Sequence, residues 1–420
     1  MHVMNKITVL AAALAAAGSL SAADLKVEVV RTNDLWWTAP EPPEMYYMIA
    51  DSAGTRDRAA VRFYVTADTM PSRVLIDSTC TVSLPVTLGF PVAVSAPGFY
   101  RCHLEADGAT ANETVIGYEP TSVVSLPDAQ PDFDAFWQRA KAELAEVPAD
   151  YTLTELPEKS GKSRQLYECR FRSWGGDTIT ARIAMPSTPG PHAAIIYYNG
   201  YGGGPWDLDT DSPSDLIEMQ TSVRGQFLSQ EGNKYGDWIR WHLDDPDTYY
   251  YKGAFMDALR AIDVLEQLPE VDRSRIYAEG GSQGGALTLV AGALCDGRLR
   301  AIAPYIPFLS DFRDYFRIVP WPASAVFEAQ KQLGLSDEQL YRNLSYFDMK
   351  NFARRIKMPV LMGIGLQDPT CPPHTNMASY NLITSPKELH IYPTCGHTVD
   401  YSDWNPRRTE FFERYGGGKQ

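Results

Sequence analysis

The chain has 420 residues, enough for two domains, and its 44% apolar and 21% charged content is ordinary for a folded globular protein. Its formal net charge is −14, from 52 acidic and 38 basic residues, and there is no basic run. This balance excludes the electrostatic pattern of proteins that bind nucleic acid or an anionic membrane surface. We therefore expect neither as a partner.

The N-terminus has the pattern of an export signal. Lys6 precedes an uncharged apolar run at 7–20, and Ser21 and Ala23 occupy the −3 and −1 positions of a cleavage site. The run is too short to span a bilayer comfortably, and a buried N-terminal helix is the alternative. The pattern predicts a signal peptide at 1–23, a periplasmic or secreted mature protein, and no membrane association after cleavage.

Six cysteines are present, and export permits disulfides among them. Cys80 and Cys102 fall in one β-rich segment, which makes them candidates to pair. There is no C-x-x-C sequence and no Cys/His cluster with the spacing of a zinc site. The sequence therefore predicts no metal site.

Residues 24–118 consist of short β-rich runs separated by turn residues. The runs are LKVEVV, AAVRFYVTA, SRVLIDS, FYRCHLEA and ETVIGY. Alternating apolar and polar residues, as in VRFYV, are typical of strands with one buried face. The segment predicts a β-sandwich-like module. Its aromatic stretch DLWWTAPEPPEMYYM is suited to stacking on sugar rings or to packing against a second domain.

After this module the pattern changes to alternating strands and helices. A proline-containing linker leads into an amphipathic helix at 132–144, with Phe133, Phe136 and Trp137 on its apolar side. HAAIIYYNGYGG, RIYAEGG, RAIAPYIPF, PVLMGIGLQD and KELHIYPTCGH predict buried strands, and GAFMDALRAIDVLEQL predicts a helix. The alternation predicts an α/β domain at 119–420, with a mostly parallel sheet covered by helices on both faces.

Ser282 lies in the pattern G-x-S-x-G, between a strand-like run and a helix-like run. Four glycines surround it, at 280, 281, 284 and 285, although glycine weakens both strands and helices. A bend too tight for side chains explains them, and hydrolases display a nucleophile on such a strand-to-helix turn. We predict that Ser282 is a catalytic nucleophile. A closely packed glycine turn without a reacting group is the alternative.

A nucleophilic serine needs a base, and in this fold the chain order is Ser, then Asp or Glu, then His. Three histidines follow Ser282. His390 lies within the strand-like KELHIY, and His374 follows two prolines, where it could cap a helix. His397 lies in the loop after that strand and is the predicted base.

The acid that orients the base is expected at the end of the preceding strand. PVLMGIGLQD ends at Asp368, which places a carboxylate at the carboxyl edge of the sheet. Asp400 and Asp403 are rivals, but they follow the histidine and break the chain order. A turn-forming aspartate is the alternative role for Asp368.

The tetrahedral intermediate also needs hydrogen-bond donors for its oxyanion. The backbone N–H of Gln283, directly after the nucleophile, is one predicted donor. The backbone N–H of Tyr201 is the other, in a loop where the glycines at 202–204 allow close approach. This mechanism requires no metal and no organic cofactor.

Several segments resemble the acetyl xylan esterase / cephalosporin-C deacetylase family of carbohydrate esterases. Arg224-Gly225-Gln226 is similar to its R-G-Q signature, and the residues from Gly280 to Gly284 are similar to G-x-S-Q-G. Further similar segments are PDFDAFW at 131–137, DTYYYKG at 247–253 and the stretch at 344–373. The resemblance covers roughly residues 119–416, the whole of the second domain.

The resemblance implies an α/β-hydrolase fold, a triad of Ser282, His397 and Asp368, and the removal of acetyl groups from sugars. It also implies a homo-oligomer, either a trimer or a hexamer, although the first module puts these interfaces in question. Arg224, Gly225 and Gln226 are implied as supports near the active site. An ordinary ion pair is the alternative for Arg224.

The chain departs from the family pattern in three places. The signature H-E reads His397-Thr398, and the usual H-G-Y reads Asn199-Gly200-Tyr201. The stretch between Tyr201 and Arg224 carries five acidic residues, which form either an acidic wall beside the acyl pocket or a solvated helix start. These residues are Asp207, Asp209, Asp211, Asp215 and Glu218.

A disulfide is hypothesised between the acid loop and the base loop, which are neighbours in a triad. Cys371 lies three residues after Asp368, and Cys395 lies two residues before His397.

The main functional hypothesis is a serine carboxylesterase that deacetylates acetylated sugars or short xylo-oligosaccharides. One alternative keeps the triad and changes the substrate to another ester or a peptide. Another alternative is a carbohydrate-binding protein whose hydrolase domain has lost activity. The replacement of the H-E signature by His397-Thr398 gives this alternative slight support.

Overall fold

The computed structural model describes residues 25–30, 34–41, 43–231 and 233–417, so the predicted signal peptide lies outside the described residues. The chain divides into two compact units. The first ends at Tyr118, and the second runs from Glu119 onward and includes the short pieces Thr69–Pro71 and Pro97–Phe99. In the described part of the chain no helix has both the length and the apolar character required to cross a membrane.

The described part of the first unit is formed by strands in two sheets. One sheet has the order β1-β3-β6 and the other the order β2-β9-β7-β4-β5, with β8 paired to β7. The strands are β1 (Leu25–Val30), β2 (Trp36–Trp37), β3 (Glu44–Asp51), β4 (Arg58–Ala67), β5 (Val74–Ser83), β6 (Val86–Pro91), β7 (Gly98–Ala106), β8 (Ala109–Thr110) and β9 (Thr114–Tyr118).

Aromatic side chains join the two sheets of this unit. Tyr47 of β3 and Phe90 of β6 meet Phe63 of β4, and the rings of Phe63 and Phe90 stack with centroids 4.7 Å apart. The predicted β-sandwich-like arrangement is confirmed. The stretch EMYYM, considered above as a surface for stacking, is part of β3, and Tyr47 within it is fully buried.

The disulfide considered between Cys80 and Cys102 is absent. Cys80 of β5 is opposite Val61 of β4, and Cys102 of β7 is opposite Val65 of β4, so β4 separates the two cysteines. Because adjacent strands lie about 4.8 Å apart, strands on either side of a third are about 10 Å apart. A disulfide requires Cα atoms within about 7 Å.

The second unit is built around a nine-stranded sheet of order β10-β11-β12-β14-β13-β15-β16-β17-β18. Pairs from β10 to β14 are antiparallel, and every pair from β14 to β18 is parallel. The strands are β10 (Thr152–Glu155), β11 (Arg164–Arg172), β12 (Thr178–Pro186), β13 (His192–Tyr198), β14 (Leu216–Thr221), β15 (Val271–Gly281), β16 (Ala301–Tyr305), β17 (Val360–Gly365) and β18 (Lys387–Tyr392).

Helices cover both faces of this sheet, which explains why its central strands are almost continuously apolar. Tyr197 of β13 packs in an apolar cluster with Trp404 of α9 (Tyr401–Tyr415), whereas the hydroxyl of the next residue, Tyr198, donates to the carbonyl of Ala258 in α2 (Tyr250–Gln267) at 2.8 Å. The predicted α/β-hydrolase architecture is confirmed. The helices are α1 (Phe133–Ala145), α2 (Tyr250–Gln267), α3 (Gln283–Leu294), α4 (Phe312–Ile318), α5 (Ala323–Leu333), α6 (Asp337–Ser345), α7 (Met349–Ala353), α8 (Pro373–Leu382) and α9 (Tyr401–Tyr415).

The predicted amphipathic helix at 132–144 is α1, and its apolar side lies in an aromatic cluster. The indole of Trp137 is 1% exposed and contacts Phe255 of α2 and Phe352 of α7, with ring centroids 5.6 and 5.4 Å away. Its Nε1–H donates to the carbonyl of Tyr346 at 3.2 Å. This side chain therefore fastens α1 to the rest of the second unit.

Replacing Trp137 with alanine should lower the free energy of unfolding by about 3–5 kcal/mol, because it leaves a large cavity in a well-packed site. Urea denaturation followed by circular dichroism measures the change. Gln138→Ala, at the adjacent exposed position of α1, is the control and should stay within about 0.5 kcal/mol of wild type. Equal losses in both variants would contradict the proposed anchoring.

Candidate active site

Ser282 lies at a sharp turn between the last residue of β15 and the first residue of α3. Its backbone has φ 56° and ψ −121°, a conformation that is strained for a residue with a side chain. Its N–H donates to the carbonyl of Tyr305 at 3.2 Å, and its own carbonyl accepts from the N–H of Phe308 at 3.0 Å. These backbone bonds hold the turn in place.

Two of the glycines around Ser282 are required by close packing. A Cβ at Gly284 would overlap the carbonyl oxygen of Tyr198, at the end of β13. A Cβ at Gly280 would lie 2.5 Å from the carbonyl carbon of Gly284. The start of α3 is therefore pressed directly against the neighbouring strand, which explains the glycine pattern of the sequence.

Asp368 and His397 are joined by hydrogen bonds. The His397 Nδ1 atom lies 2.8 Å from Oδ2 and 3.0 Å from Oδ1 of Asp368. Oδ1 also accepts the backbone N–H groups of Thr370 and Cys371, at 2.8 and 2.9 Å. The Asp368 side chain is fully buried and that of His397 is 30% exposed, so the imidazole presents its other edge to solvent.

Ser282 and His397 line one cavity of about 910 Å³, called here the Ser282 cavity. Tyr201 is also in its lining, together with residues from the loop that follows β13 and from the start of α9. The structure therefore brings together the predicted nucleophile, the predicted base and one of the two predicted oxyanion loops. Asp368 lies behind the imidazole.

The rival residues from the sequence have other partners. His374 Nε2 lies 3.2 Å from Asp314 Oδ2, and His390 Nε2 lies 3.0 Å from Asp403 Oδ2. Asp400 caps the N-terminus of α9 by accepting the N–H of Ser402. None of these three pairs belongs to the lining of the Ser282 cavity.

The two glutamines of the signature motifs pair with each other through both of their amide groups. Gln226 Nε2 donates to Gln283 Oε1, and Gln283 Nε2 donates to Gln226 Oε1, each at 3.0 Å. Gln226 Oε1 also accepts the N–H of Gly202 at 3.1 Å, directly after Tyr201. This amide pair thus ties the Tyr201 loop to the first residue of α3.

Two tyrosines of the DTYYYKG segment complete this arrangement, and their roles were not predicted from the sequence. Gln226 Nε2 donates to the Tyr250 hydroxyl at 2.8 Å, and the Tyr251 hydroxyl donates to Gln283 Oε1 at 3.2 Å. Burial raises the pKa of both tyrosines well above 10, so both remain neutral hydrogen-bonding groups. The similarity of DTYYYKG to the esterase family indicates that this segment matters, but it does not predict which residues the tyrosines contact.

Arg224 is buried and bonded to α2. Its Nε and Nη2 atoms donate to both carboxylate oxygens of Asp257 at 2.9 and 2.6 Å, and its Nη1 donates to Asp177 at 3.0 Å. Burial alone lowers the pKa of Arg224, but the ion pair with Asp257 raises it overall. Gly225 follows with φ 70°, which favours glycine. Arg224 and Gly225 therefore set the position of Gln226.

The hypothesised disulfide between Cys371 and Cys395 is absent, so that prediction was wrong. The Cys371 sulfur lies 3.9 Å from the Tyr315 hydroxyl and contacts the hydroxyl of Ser282. Cys395 instead packs against the apolar cluster that includes Trp404 of α9. The two loops are neighbours, but the two side chains point into different surroundings. Burial raises the pKa of the Cys371 thiol well above 9, which keeps it protonated.

The acidic stretch between Tyr201 and Arg224 contributes only in part to the Ser282 cavity. Asp207, Asp209 and Glu218 line it, whereas Asp211 and Asp215 do not. Glu218 lies in β14 rather than at a helix start, and it forms an ion pair with the buried Arg164. Asp207 lies 3.9 Å from Arg182, and Asp209 accepts the backbone N–H groups of Asp211 and Ser212, so all three of these acidic groups of the cavity wall have partners.

Several residues that line the Ser282 cavity were not predicted from the sequence, and four of them carry aromatic or charged side chains of interest. Trp206 and Tyr401 are large aromatic residues that are about half exposed, at 47% and 49%. Glu279 and Arg408 form an ion pair in the same lining, and the Trp404 Nε1–H donates to Glu279 at 2.7 Å. Trp206 lies in the segment GGGPWDLD, a few residues after Tyr201 of the oxyanion loop. This short distance in sequence is the signal that could have predicted its place beside the active site.

The sheet, the turn at Ser282 and the hydrogen-bonded Asp368–His397 pair define a hydrolase of the α/β class. The family described as acetyl xylan esterase (AXE1) matches residues 121–414, so the chain belongs to this family. It is accordingly a serine hydrolase that acts on ester bonds, with the carboxylesterase function of an acetyl xylan esterase-like enzyme.

Individual relatives agree with this assignment. The acetyl esterase Axe7A of Xylanibacter ruminicola is 27% identical over 411 residues, which cover 90% of each chain. The acetyl xylan esterase from Paenibacillus sp. R4 is 31% identical with a TM-score of 0.64, and acetyl xylan esterase 1 from Thermoanaerobacterium sp. JW/SL YS485 is 29% identical with a TM-score of 0.62. Each structural match covers 71% of this chain and 98% of the other.

Replacing Arg224 with methionine should lower the free energy of unfolding by about 3–5 kcal/mol, because it leaves Asp257 buried without its cation. The double variant Arg224→Met/Asp257→Leu removes both charges and should regain much of this loss. Urea denaturation of the three proteins measures the difference. If the double variant were less stable than the single variant, lost packing rather than the unpaired carboxylate would be the cause.

Proposed function

We propose that this protein removes acetyl groups from acetylated sugars or short xylo-oligosaccharides, with Ser282 as nucleophile, His397 as base and Asp368 as orienting acid. The observation that carries the proposal is the Asp368–His397 hydrogen-bonded pair, whose imidazole lines the same cavity as the strained Ser282. Membership of the acetyl xylan esterase family supports the choice of substrate class.

In the proposed reaction the Ser282 oxygen attacks the acetyl carbonyl carbon, and the Nε2 atom of His397 accepts the serine proton. The tetrahedral intermediate then collapses. The bond to the sugar oxygen breaks, and His397 returns the proton to the leaving sugar hydroxyl. Water attacks the acetyl-enzyme in the same manner and releases acetate and free Ser282. Asp368 keeps the Nδ1 proton in place and stabilises the imidazolium that forms.

The proposed oxyanion donors are the backbone N–H groups of Tyr201 and Gln283. Such donors lower the barrier because they are already directed at the position where negative charge develops. The amide pair of Gln226 and Gln283 supports this role, since it links the Tyr201 loop to the start of α3. The protonated Cys371 thiol beside Ser282 is a weak nucleophile and does not compete in this reaction.

Trp206 and Tyr401 provide the proposed binding surface for the sugar. Exposed aromatic rings offer apolar faces that suit the C–H faces of a pyranose ring, while the nearby Asp207, Asp209 and Ser212 can bond to its hydroxyl groups. A cavity of about 910 Å³ has room for more than the acetyl group alone.

We also propose the division of the chain into an export signal at 1–23, a β-sandwich-like module at 24–118 and the esterase domain at 119–420. The apolar run after Lys6 and the small residues Ser21 and Ala23 support export to the periplasm or the medium. The family resemblance supports a homo-oligomer, a trimer or a hexamer.

Ser282→Ala should reduce acetate release from acetylated xylo-oligosaccharides by at least about 10³-fold, because it removes the attacking oxygen. Ser402→Ala, which alters an exposed hydroxyl at the start of α9, is the control. A fluorophosphonate should label the wild type and the control, but not Ser282→Ala. Retained activity in Ser282→Ala would refute the nucleophile. Wild-type activity on a chromogenic acetyl ester alone would refute the substrate class.

Trp206→Ala should raise the KM for acetylated xylo-oligosaccharides about 2- to 10-fold, which corresponds to a stacking contribution of about 0.5–1.5 kcal/mol. The KM for a small chromogenic acetyl ester should change little, since that ester has no sugar to stack. Phe327→Ala alters a similarly exposed aromatic residue outside the Ser282 cavity and is the control. Equal changes in KM for both substrates would contradict a sugar-binding role.

A further inference from the structure

A second group of ionisable side chains lies outside the Ser282 cavity. It consists of Asp311 and Asp314 at the start of α4, and His374 at the start of α8. His374 Nε2 lies 3.2 Å from Asp314 Oδ2 and 3.7 Å from Asp311 Oδ2, and one ligand atom from each residue lies within 4.8 Å of the others. No step of the proposed reaction uses any of the three.

One carboxylate oxygen of this group has no hydrogen-bond donor although it is buried. Asp311 is 2% exposed, and its Oδ1 accepts from Lys350 Nζ at 3.0 Å. Its Oδ2, which is directed at His374, makes no hydrogen bond. An unpaired buried oxygen of a charged group carries a large desolvation cost, and buried charges are normally paired or coordinate a metal ion.

In both aspartates the Oδ1 atom, which is not the one that faces His374, is bonded to a cationic side chain. Lys350 bonds to Oδ1 of Asp311, and Arg317 Nη1 lies 3.3 Å from Oδ1 of Asp314. The other oxygen of each, Oδ2, is left facing His374. Carboxylates that bind metal ions are commonly oriented in this manner, by partners on the oxygen that is not a ligand.

The distances fit a single small divalent ion. Zinc binds histidine nitrogen and carboxylate oxygen at about 2.0–2.2 Å, and a tetrahedral angle then places two ligand atoms about 3.4 Å apart. The observed separations of 3.2 and 3.7 Å bracket this value. Two carboxylates and one imidazole leave a fourth position for water.

We propose that Asp311, Asp314 and His374 form a binding site for one zinc ion. The site joins the start of α4 to the start of α8, which follows the loop of Asp368 and Cys371. A bound ion therefore strengthens the native fold beside the acid loop and takes no part in ester cleavage. The spacing of 60 residues between Asp314 and His374 explains why no local motif in the sequence predicts it.

The site is tested with untagged protein that has been treated with a chelator and dialysed. Calorimetric titration with ZnCl₂ should give saturable binding of one equivalent. Cobalt(II), which reports its own coordination, should develop visible d–d absorption on binding. Because a ligand that binds only the native state stabilises it, zinc should also raise the Tm of the wild type.

His374→Gln should abolish zinc binding, the cobalt absorption and the rise in Tm, and Asp314→Asn should weaken all three. His390→Gln is the matched control, since His390 also faces one carboxylate, that of Asp403, but belongs to no group of three possible ligands in the part of the chain that the structure describes. Retained hydrolysis of a chromogenic acetyl ester shows that each variant is folded. The proposal is overturned if the wild type gives no saturable zinc binding, or if His374→Gln binds zinc as the wild type does.

Discussion

The positive φ of Ser282 is the constraint on which the rest of the second unit depends. A residue with a side chain in such a conformation costs of order 1–3 kcal/mol, so the surrounding structure must enforce it. Backbone bonds to Tyr305 and Phe308 do so on one side. On the other side Gly284 allows α3 to lie against the end of β13. The turn is therefore part of the packing between strands and helices, rather than a loop added to it.

Hydrogen bonds of buried polar side chains connect the turn at Ser282 to the loops that line the cavity. Arg224 fixes its own turn to α2 through Asp257, and Gln226 two residues later reaches both the Tyr201 loop and Gln283. A charged or amide side chain in such a position is costly unless its partners are present, so each contact favours one arrangement of the chain. The positions of the backbone groups beside Ser282 therefore follow from side chains that take no direct part in any reaction.

The residues of the candidate site that were predictable have a signature within a short stretch of sequence. Ser282 lies in a glycine pattern, and Asp368 and His397 each end or follow a strand-like run in the expected chain order. The pairing of Gln226 with Gln283 spans 57 residues and has no such signature. The same holds for Asp257, the partner of Arg224. Asp257 lies on α2, for which the sequence predicted only an apolar face.

The fold was predictable where burial makes the pattern strong, and less so at its edge. The parallel strands are continuous apolar runs, whereas β10 reads TLTE and is exposed throughout. The cysteines show another limit. The proximity of two loops could be inferred from the triad order, but the direction of a side chain depends on what it packs against, and Cys371 and Cys395 pack against different neighbours.

The reciprocal amide pair has a consequence for how this sequence can change over time. Each glutamine supplies one donor and one acceptor to the other, and both are almost fully buried. A glutamate at either position has no N–H to give and adds a buried charge, while an apolar residue leaves the remaining amide without a partner. The effect of a substitution at position 226 should therefore depend on the residue at position 283, although the two motifs are distant in sequence.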